Sequence, residues 1–458
     1  MAILIEQLVD HIIDTKYDSF NSEVIEAAKK RLIDVAGCAI GGANASGNNA
    51  LLEIIRRWKG NKEATILVHG DKVPLPFAAM VNCMMVRSFD YEVIGPSPEG
   101  ENAGRMVGHV SSTTEGTALS VAEYKGLTGK DIISAIILGA DLAARISVAQ
   151  DFEFDSSFEV CGTVNAFGAT AVAGKMYGLS KEQMINAFGI LVNQMGGSFQ
   201  TIWDGVHSFK LIGAQAAMNG IFSVELAGKG FTGLKDPLLS PQGYFPQYCK
   251  KYHPEYAVRD LGKVFYCKGQ HKMHPSCYGN HTAIDCSLEI LEKYNVNVDA
   301  ISEINLMIHP SRGHSFLNQP FNREDLQPKA LFNLPYGVAS VLLRKSAKLE
   351  HYTDEFIHDP RVIEMVSKVK LIPTFQGKSP RHCQLIIVMQ NGETYSAERE
   401  EPRGWLNQIT KEEVKEKFRK NVAFSKTISI KKADEALELL DNIEQVENVN
   451  KIIELLVV

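Results

Sequence analysis

Histidines and lysines gather between residues 207 and 281, on or beside small, apolar or proline-containing segments. They are His207, Lys210, His271, Lys272, His274 and His281. A lysine on an otherwise apolar helix, such as Lys210, either extends to the surface or faces an anion. Because two lysines and several histidines lie beside helix starts, we expect a binding site for an anionic substrate such as a polycarboxylate.

Three further residues are candidates for moving a proton. His109 comes just before serine and threonine residues that can cap a helix, and a histidine in that position tends towards a neutral imidazole that can accept a proton. Asp90 ends an apolar segment, where a carboxylate is either a surface residue or an acid/base group. Tyr336 begins a helix, where a tyrosine either packs with its hydroxyl outward or donates a proton. Taken alone, each residue also has a purely structural interpretation.

Two motifs are rejected as cofactor or metal sites. Residues 228–233 fit the pattern G-x-G-x-x-G, but a dinucleotide-binding loop must follow a strand, and this segment follows a predicted helix. Cys267, His271, His274 and Cys277 are zinc-ligand types, yet their spacing matches no standard zinc finger and two lysines lie among them. We therefore predict that the protein needs no cofactor and no metal.

The spacing of apolar residues predicts the elements that carry these side chains. The first part of the chain has apolar residues at the helical spacing of about 3.6. The predicted helices cover 22–40, 75–89, 112–124, 129–149, 164–178, 180–195 and 207–228. Near residue 265 the pattern changes, because 301–309 alternates like a strand and Asn391-Gly392 is a strong hairpin signal. Further helices are predicted at 330–344, 360–368, 411–420, 431–443 and 446–457.

This change of pattern predicts a mainly α-helical protein with two domains. We expect a large all-α domain formed by residues 1–264 together with 403–458. A smaller α+β domain, residues 265–402, is then inserted between these two parts. The prediction rests on the charged helical segments after residue 402, which resemble the first part of the chain more than the segment before them.

Length and composition exclude several classes of protein. The chain has 458 residues, of which 45% are hydrophobic and 22% charged, and at roughly 150 residues per domain this length allows two or three domains. The net charge of −6 argues against a nucleic-acid partner. Several of the eight cysteines lie within apolar runs, which is typical of buried thiols and not of a disulfide framework.

The N-terminal segment mixes apolar and charged residues at helical spacing and lacks the pattern of a signal peptide. The longest apolar stretch, 132–146, contains Asp141 and Arg145 and is too short to span a bilayer. We therefore expect a cytoplasmic protein with no membrane partner.

Together, these residues and their surroundings resemble the MmgE/PrpD family, which includes 2-methylcitrate dehydratase, cis-aconitate decarboxylase and iminodisuccinate epimerase. The resemblance covers nearly the whole chain. It is carried by RLIDVAGCAIGG, SFD, GHVSSTTEGTALSVAE, CGTVNAFGATAVAGKMYGLS, FKLIGAQAAMNGIFSVELAGKGFTG, HKMHPSCYGNHTAIDCSLEI and LQPKALFNLPYGVASVLL. It implies an all-α domain with an inserted α+β domain, an active site in the cleft between them, no cofactor, and a homodimer.

The resemblance also implies which residues line the site. They are Asp90, His109, Lys210, Lys272 and Tyr336, with His281 and Cys277 in the same matched segment as Lys272. The chain departs from the family pattern in two places. The histidine usual before the CGT segment is absent from residues 155–161, and Tyr91-Glu92 replaces the usual second aspartate. The loop between Asp90 and His109 is also long, and its Arg105 is either a clamp for a substrate carboxylate or a surface residue.

Three functions remain open. The first is a cofactor-free lyase, a dehydratase or decarboxylase, that removes a proton α to a carboxylate of a small di- or tricarboxylate. In it, Lys210 and Lys272 hold carboxylates, His109 is the base, and Asp90 or Tyr336 donates the proton. Arg105 and His281 are further candidates for substrate binding. The second function is an epimerase or isomerase that uses the same proton abstraction, and the third is a protein that only binds a carboxylate.

Overall fold

The computed structural model describes residues 3–105, 107–151, 158–405 and 409–458. Helices dominate the chain up to residue 257. They are α1 (Leu4–Asp14), α2 (Ser22–Gly42), α3 (Asn48–Trp58), α4 (Leu75–Arg87), α5 (Ser111–Lys125), α6 (Gly129–Ala149), α7 (Val164–Tyr177), α8 (Lys181–Leu191), α9 (Gln200–Asp204), α10 (Ser208–Gly228), α11 (Tyr244–Tyr248) and α12 (Pro254–Ala257). The sequence did not predict the short antiparallel ribbon of β1 (Ala64–Thr65) and β2 (Lys72–Val73). The described residues of this part contain no parallel sheet.

Helix α6 belongs to the core of this helical part. Its 21 residues extend beyond the apolar stretch 132–146, so α6 is long and apolar enough to cross a membrane. The prediction that this stretch is too short to span a bilayer is therefore wrong for the whole helix. Its most apolar window is entirely buried within the protein. Small residues let α6 approach α7 closely, since a Cβ atom on Gly139 would lie 2.4 Å from Val172 Cγ2. Its Asp141 pairs with Arg145 at 2.8 Å and with His11 at 3.1 Å.

The segment after residue 280 combines helices with a four-stranded sheet. Its strands are β3 (Ile301–Ile308), β4 (Val369–Ile372), β5 (Cys383–Met389) and β6 (Thr394–Arg399), in the order β4-β3-β5-β6. Its helices are α13 (His281–Lys293), α14 (Gln327–Leu331), α15 (Leu334–Arg344), α16 (Asp354–Ile357) and α17 (Pro360–Ser367). Strand β3 runs parallel to β4 and antiparallel to β5. The predicted hairpin at Asn391-Gly392 joins β5 to β6, and Gly392 has the positive φ of 86° that such a turn requires.

The last helices of the chain pack back onto the first part. They are α18 (Lys411–Ser425), α19 (Ile430–Asp441) and α20 (Asn450–Leu455). Gly37 of α2 has no side chain, which lets Phe418 of α18 approach: a Cβ atom on Gly37 would lie 3.0 Å from Phe418 Cα. Lys29 of α2 also pairs with Glu444 at 3.0 Å. The fold is therefore mostly α-helical with a small sheet, and the exact domain boundaries stay a prediction.

Two predicted helices differ from the structure for local reasons. The helix expected at 330–344 is divided into α14 and α15, because Asn333 caps α15 by accepting the N–H of Tyr336 at 2.8 Å. Pro335 then fits the first turn of α15, where its missing N–H costs nothing. The helix expected at 180–195 ends at Leu191 and continues as a short 3-10 turn, Val192–Gln194. Strand β4 was missed because its residues do not alternate between buried and exposed.

Candidate active site

The loop of residues 89–93 follows α4 directly and carries the first part of the site. Its backbone polar groups bind buried partners from three other parts of the chain. The hydrogen bonds are Ser276 N–H to Phe89 O (3.1 Å), Lys272 Nζ to Asp90 O (2.5 Å), Lys417 Nζ to Tyr91 O (2.6 Å) and Val93 N–H to Asp34 Oδ1 (3.0 Å). Asp90 has a left-handed backbone, with a φ of 47°, which residues other than glycine rarely adopt. These partners hold that strained conformation in place.

A network of opposite charges surrounds this loop, and we call it the Asp90 cluster: Arg87, Asp90, Glu92, His109 and Lys272. Asp90 Oδ1 lies 2.8 Å from Lys272 Nζ and also accepts a hydrogen bond from Arg87 Nη1. The same Arg87 nitrogen donates to Glu92 Oε1 at 3.1 Å. His109 Nδ1 lies 3.4 Å from Glu92 Oε1. The structure thus joins Asp90, His109 and Lys272, three of the site residues that the sequence predicted.

Electrostatics fix the protonation states in the Asp90 cluster. Burial and the charges of Arg87 and Lys272 lower the pKa of His109 to about 3, although Glu92 opposes this shift. The imidazole is therefore neutral at pH 7, as the sequence predicted, but burial and two cations are the main causes. Burial alone would raise the pKa of Glu92, and Arg87, His109 and Lys272 together lower it below its usual value. Burial also lowers the pKa of Lys272 to about 7, although the charge of Glu92 opposes this shift.

Asp90, Glu92 and His109 also have the residue types of a metal site, and their ligand atoms lie within 4.8 Å of one another. A divalent ion there would have to displace or accompany Arg87 and Lys272, which already neutralise both carboxylates. Metal sites favour neutral or anionic surroundings. The donor set therefore fits a salt-bridge network better than a cation site.

The backbone of His109 is fixed by helix α7 and by the turn before it. His109 O accepts hydrogen bonds from Asn165 Nδ2 and, at 3.6 Å, from Cys161 Sγ. Asn165 in turn donates to Thr113 Oγ1 at 3.0 Å, which ties α7 to the start of α5. The side chain of His109 is 21% exposed, whereas that of Arg87 is 4% exposed and those of Asp90, Glu92 and Lys272 are fully buried. Solvent therefore reaches the Asp90 cluster at His109.

Lys210 lies in a separate polar group at the start of α10. Its Nζ donates to Ser46 O at 2.5 Å, while Ser46 Oγ lies 3.2 Å from His207 Nε2 and 3.3 Å from Asp354 Oδ2. Burial lowers the pKa of Lys210 to about 7, and the charge of Asp354 opposes the shift. Neither Lys210 nor Lys272 points to bulk solvent, since their exposed fractions are 1% and 0%. In the described residues, no hydrogen bond or ion pair joins Lys210 to the Asp90 cluster.

Tyr336 and His281 are both buried, and each has partners of its own. The Tyr336 hydroxyl donates to His351 O, and its ring packs 5.6 Å from Tyr352. Burial raises the pKa of Tyr336, so the hydroxyl keeps its hydrogen. The ring of His281 packs 5.2 Å from that of His274, and burial lowers its pKa well below 6.5. Neither side chain forms a hydrogen bond or ion pair with the Asp90 cluster in the described part of the chain.

Arg105 lies apart from the Asp90 cluster. Its guanidinium stacks over the Tyr256 ring at 4.0 Å, and its Nη1 lies 3.9 Å from Asp151 Oδ1. The side chain is 32% exposed. Of the two roles that the sequence left open, these contacts favour the surface residue over the carboxylate clamp. Cys277 is half-buried, and its backbone N–H donates to Leu331 O at 3.0 Å.

The four zinc-type residues have different partners. His271 Nδ1 lies 3.0 Å from Asp34 Oδ2, and His274 Nε2 lies 2.8 Å from Asp285 Oδ1. The glycine-rich motif follows the end of α10, as the sequence indicated. The segment that lacks the family histidine falls partly outside the described residues, which resume at Phe158.

Arg87 and Glu92 are parts of the site that the sequence reasoning missed. Arg87 is the last residue of α4, three positions before Asp90, and this spacing places both side chains on one side of the turn. Glu92 was noted only as a departure from the family pattern. The available signal was its position two residues after Asp90.

Two family models match the chain over most of its length. The MmgE/PrpD N-terminal domain matches residues 6–257, and the MmgE/PrpD C-terminal domain matches residues 274–445. A cis-aconitate decarboxylase-like protein, oryM, of Aspergillus oryzae (strain ATCC 42149 / RIB 40) is 22% identical over 438 residues, which covers 90% of this chain and 89% of that protein. Since the first model alone matches more than half of the chain, the chain belongs to the MmgE/PrpD family.

Proposed function

We propose that the protein is a cofactor-free lyase of a small di- or tricarboxylate: a dehydratase that removes a proton α to a carboxylate, or a decarboxylase that returns a proton to the carbon that loses CO2. The observation that carries the proposal is the neutral, partly exposed imidazole of His109 beside Arg87 and Lys272. A neutral imidazole can accept a proton, and buried cations stabilise the negative charge that develops on the substrate. The decarboxylase-like relative supports a lyase of this type.

Glu92 orients the base in this proposal. His109 Nδ1 is buried and lies 3.4 Å from Glu92 Oε1, so an Nδ1–H donating towards this carboxylate leaves Nε2 as the proton acceptor. The low pKa of His109 belongs to the protein without substrate. A bound polyanion adds negative charge beside the imidazole and raises that pKa, which makes His109 a stronger base only when substrate is present.

Lys210 supplies the second positive charge for the substrate. Its ammonium group has one hydrogen-bond partner, Ser46 O, and no carboxylate within ion-pair distance in the described part of the chain. A substrate carboxylate beside Lys210 supplies that missing negative charge and raises its pKa from about 7. In this proposal, a substrate with two or more carboxylates places one beside Lys210 and another beside the Asp90 cluster.

The test is incubation of the purified protein in D2O with citrate, 2-methylcitrate, cis-aconitate and aspartate-derived dicarboxylates, followed by NMR. New alkene signals identify a dehydratase, and release of CO2 identifies a decarboxylase. Exchange of the α-hydrogen with no net loss of substrate identifies an epimerase or isomerase, the alternative that uses the same abstraction. Thermal stabilisation by a carboxylate with no exchange identifies a binding protein and overturns the lyase proposal.

A further inference from the structure

Buried carboxyl groups in the described residues are paired with cations or histidines, with one exception. The paired groups each have a nitrogen of Lys, Arg or His within 4.0 Å. They are Asp34, Asp90, Glu92, Glu115, Glu123, Asp141 and Asp285. Glu159 is 5% exposed and has no ion-pair partner among the described residues. A buried carboxylate without a countercharge is costly, so such a group is retained as the neutral acid.

Glu159 lies in the wall that holds the backbone of His109. Its Oε2 accepts the N–H of Cys161 at 2.6 Å, and Cys161 Sγ donates to His109 O at 3.6 Å. The next residue, Val160, packs so closely against Gly108 that a Cβ atom there would lie 2.3 Å from Val160 Cγ2. Through Cys161, the Glu159 carboxyl group is therefore linked to the backbone of the predicted base.

The surroundings of Glu159 shift its pKa towards the neutral acid. Burial raises the pKa of Glu159, the charge of Arg87 and the bond from Cys161 oppose this, and the carboxylate of Glu92 adds to it. Arg87 cannot fully compensate, because its Nη1 is already bound to Asp90 and Glu92. Burial is therefore the main reason for the raised pKa of Glu159, and no cation forms an ion pair with this carboxyl group in the described part of the chain.

An acid is also the group that the proposed reaction lacks. Asp90 is fully buried, and its Oδ1 is held in ion pairs by both Arg87 and Lys272. The Tyr336 hydroxyl is bound to His351 O and lies outside the Asp90 cluster. Neither of the donors expected from the sequence is suited to the role.

We propose that Glu159 is the general acid of the reaction and donates its proton to the leaving hydroxyl group of a β-hydroxy carboxylate. This proposal rests on the proposed lyase function. His109 takes the α-proton, the C–H electron pair becomes part of the new carbon–carbon double bond, and the Cβ–O bond breaks. The departing oxygen takes the proton of Glu159 and leaves as water. The imidazolium and the Glu159 carboxylate are then reset by transfer of one proton through solvent.

The variant that tests this is Glu159→Gln. Its amide oxygen can still accept the N–H of Cys161, but the amide cannot donate a proton as an acid. We expect citrate or 2-methylcitrate, whichever the unmodified protein dehydrates, to lose water at least about 100-fold more slowly in the variant. Exchange of the α-hydrogen in D2O should continue, because His109 is intact. In the pH profile of kcat, the decrease at high pH, where Glu159 would lose its proton, should also disappear.

Glu123→Gln is the matched control. Glu123 is also buried and accepts a backbone N–H, that of Thr65, at 2.6 Å, but it lies outside the Asp90 cluster. Its activity and pH profile should stay close to those of the unmodified protein. Dehydration by a folded Glu159→Gln protein within threefold of normal overturns the proposal. So does loss of dehydration and exchange together, since that result indicates a positioning role. Absence of exchange in the unmodified protein, in contrast, contradicts the lyase function itself.

Discussion

Replacing Lys417 of helix α18 by methionine tests how much its buried contacts with Asp34 and with the loop of residues 89–93 stabilise the protein. Lys417 Nζ lies 2.7 Å from Asp34 Oδ2 and donates to Tyr91 O at 2.6 Å, and its side chain is 4% exposed. The substitution keeps the apolar stem and removes the charge. It leaves the Asp34 carboxylate buried with the imidazole of His271, 3.0 Å away. Breaking a buried pair in this way costs about 3–5 kcal/mol of unfolding free energy.

The cost should depend on pH because His271 can replace the missing cation. Burial lowers the pKa of His271 in the native protein, Asp34 raises it, and Lys417 lowers it. Without Lys417 the folded-state pKa of His271 rises. A group whose folded-state pKa is raised adds stability at low pH and loses it as pH increases through that pKa. Each unit of increase is worth about 1.4 kcal/mol, so we expect the variant to lose at least about 1 kcal/mol less at pH 5.5 than at pH 8.

Urea denaturation at both pH values measures these differences. Lys420→Met is the control on the same helix, because Lys420 is 66% exposed and lies 3.7 Å from Glu416, a surface pair worth less than about 1 kcal/mol. If Lys417→Met is as stable as the control at pH 8, the buried pair of Lys417 and Asp34 does not stabilise the fold. A larger loss at pH 5.5 than at pH 8 would refute the role given to His271.

Three further outcomes follow from the charges and contacts of the site. The unfolded chain protonates His109 below about pH 6.5, whereas the folded protein does so only near pH 3, so the folded state loses stability as pH falls. His109→Gln should therefore reduce the loss of unfolding free energy between pH 8 and pH 5 by about 2 kcal/mol, as measured by urea titrations. Because Lys210 and Lys272 each have a pKa of about 7, binding of a tricarboxylate at pH 8 should take up protons, as measured by calorimetry in two buffers, and Lys210→Met should lower the uptake by close to one proton. Arg105→Ala should leave KM nearly unchanged, because the guanidinium contacts Tyr256 and Asp151; a large rise in KM would restore Arg105 as a carboxylate clamp.

Local sequence signals predicted most of the helices. Helix α6 begins and ends at the predicted residues, and at its start the Thr128 side chain caps it by accepting the N–H of Asp131. The hairpin at Asn391-Gly392 was predicted from the turn residues alone. Strand β4 was missed because its partner β3 is distant in sequence and its residues lack strand periodicity. The ribbon of β1 and β2 was missed because each of its strands has only two residues.

The site was predicted less completely than the fold. The resemblance to the family identified Asp90, His109 and Lys272, which the structure brings together. Sequence could not show that Arg87 and Glu92 complete the charge balance, since that depends on the turn at the end of α4. It also could not show which carboxyl groups are paired, because partners such as Asp34 and Lys417 are far apart in the chain.

The proposed function depends most on His109, which removes the α-proton of a carboxylate substrate in the proposal above. The most direct measurement is α-hydrogen exchange in D2O by His109→Gln, compared with His253→Gln, in which the altered histidine is 41% exposed and far from the loop in sequence. The glutamine keeps size and hydrogen bonding but cannot accept a proton at neutral pH. We expect exchange and product formation to fall together by roughly 100-fold or more in His109→Gln, with substrate binding less affected, and to stay normal in the control. Near-normal exchange in a folded His109→Gln protein would contradict the assignment of the base.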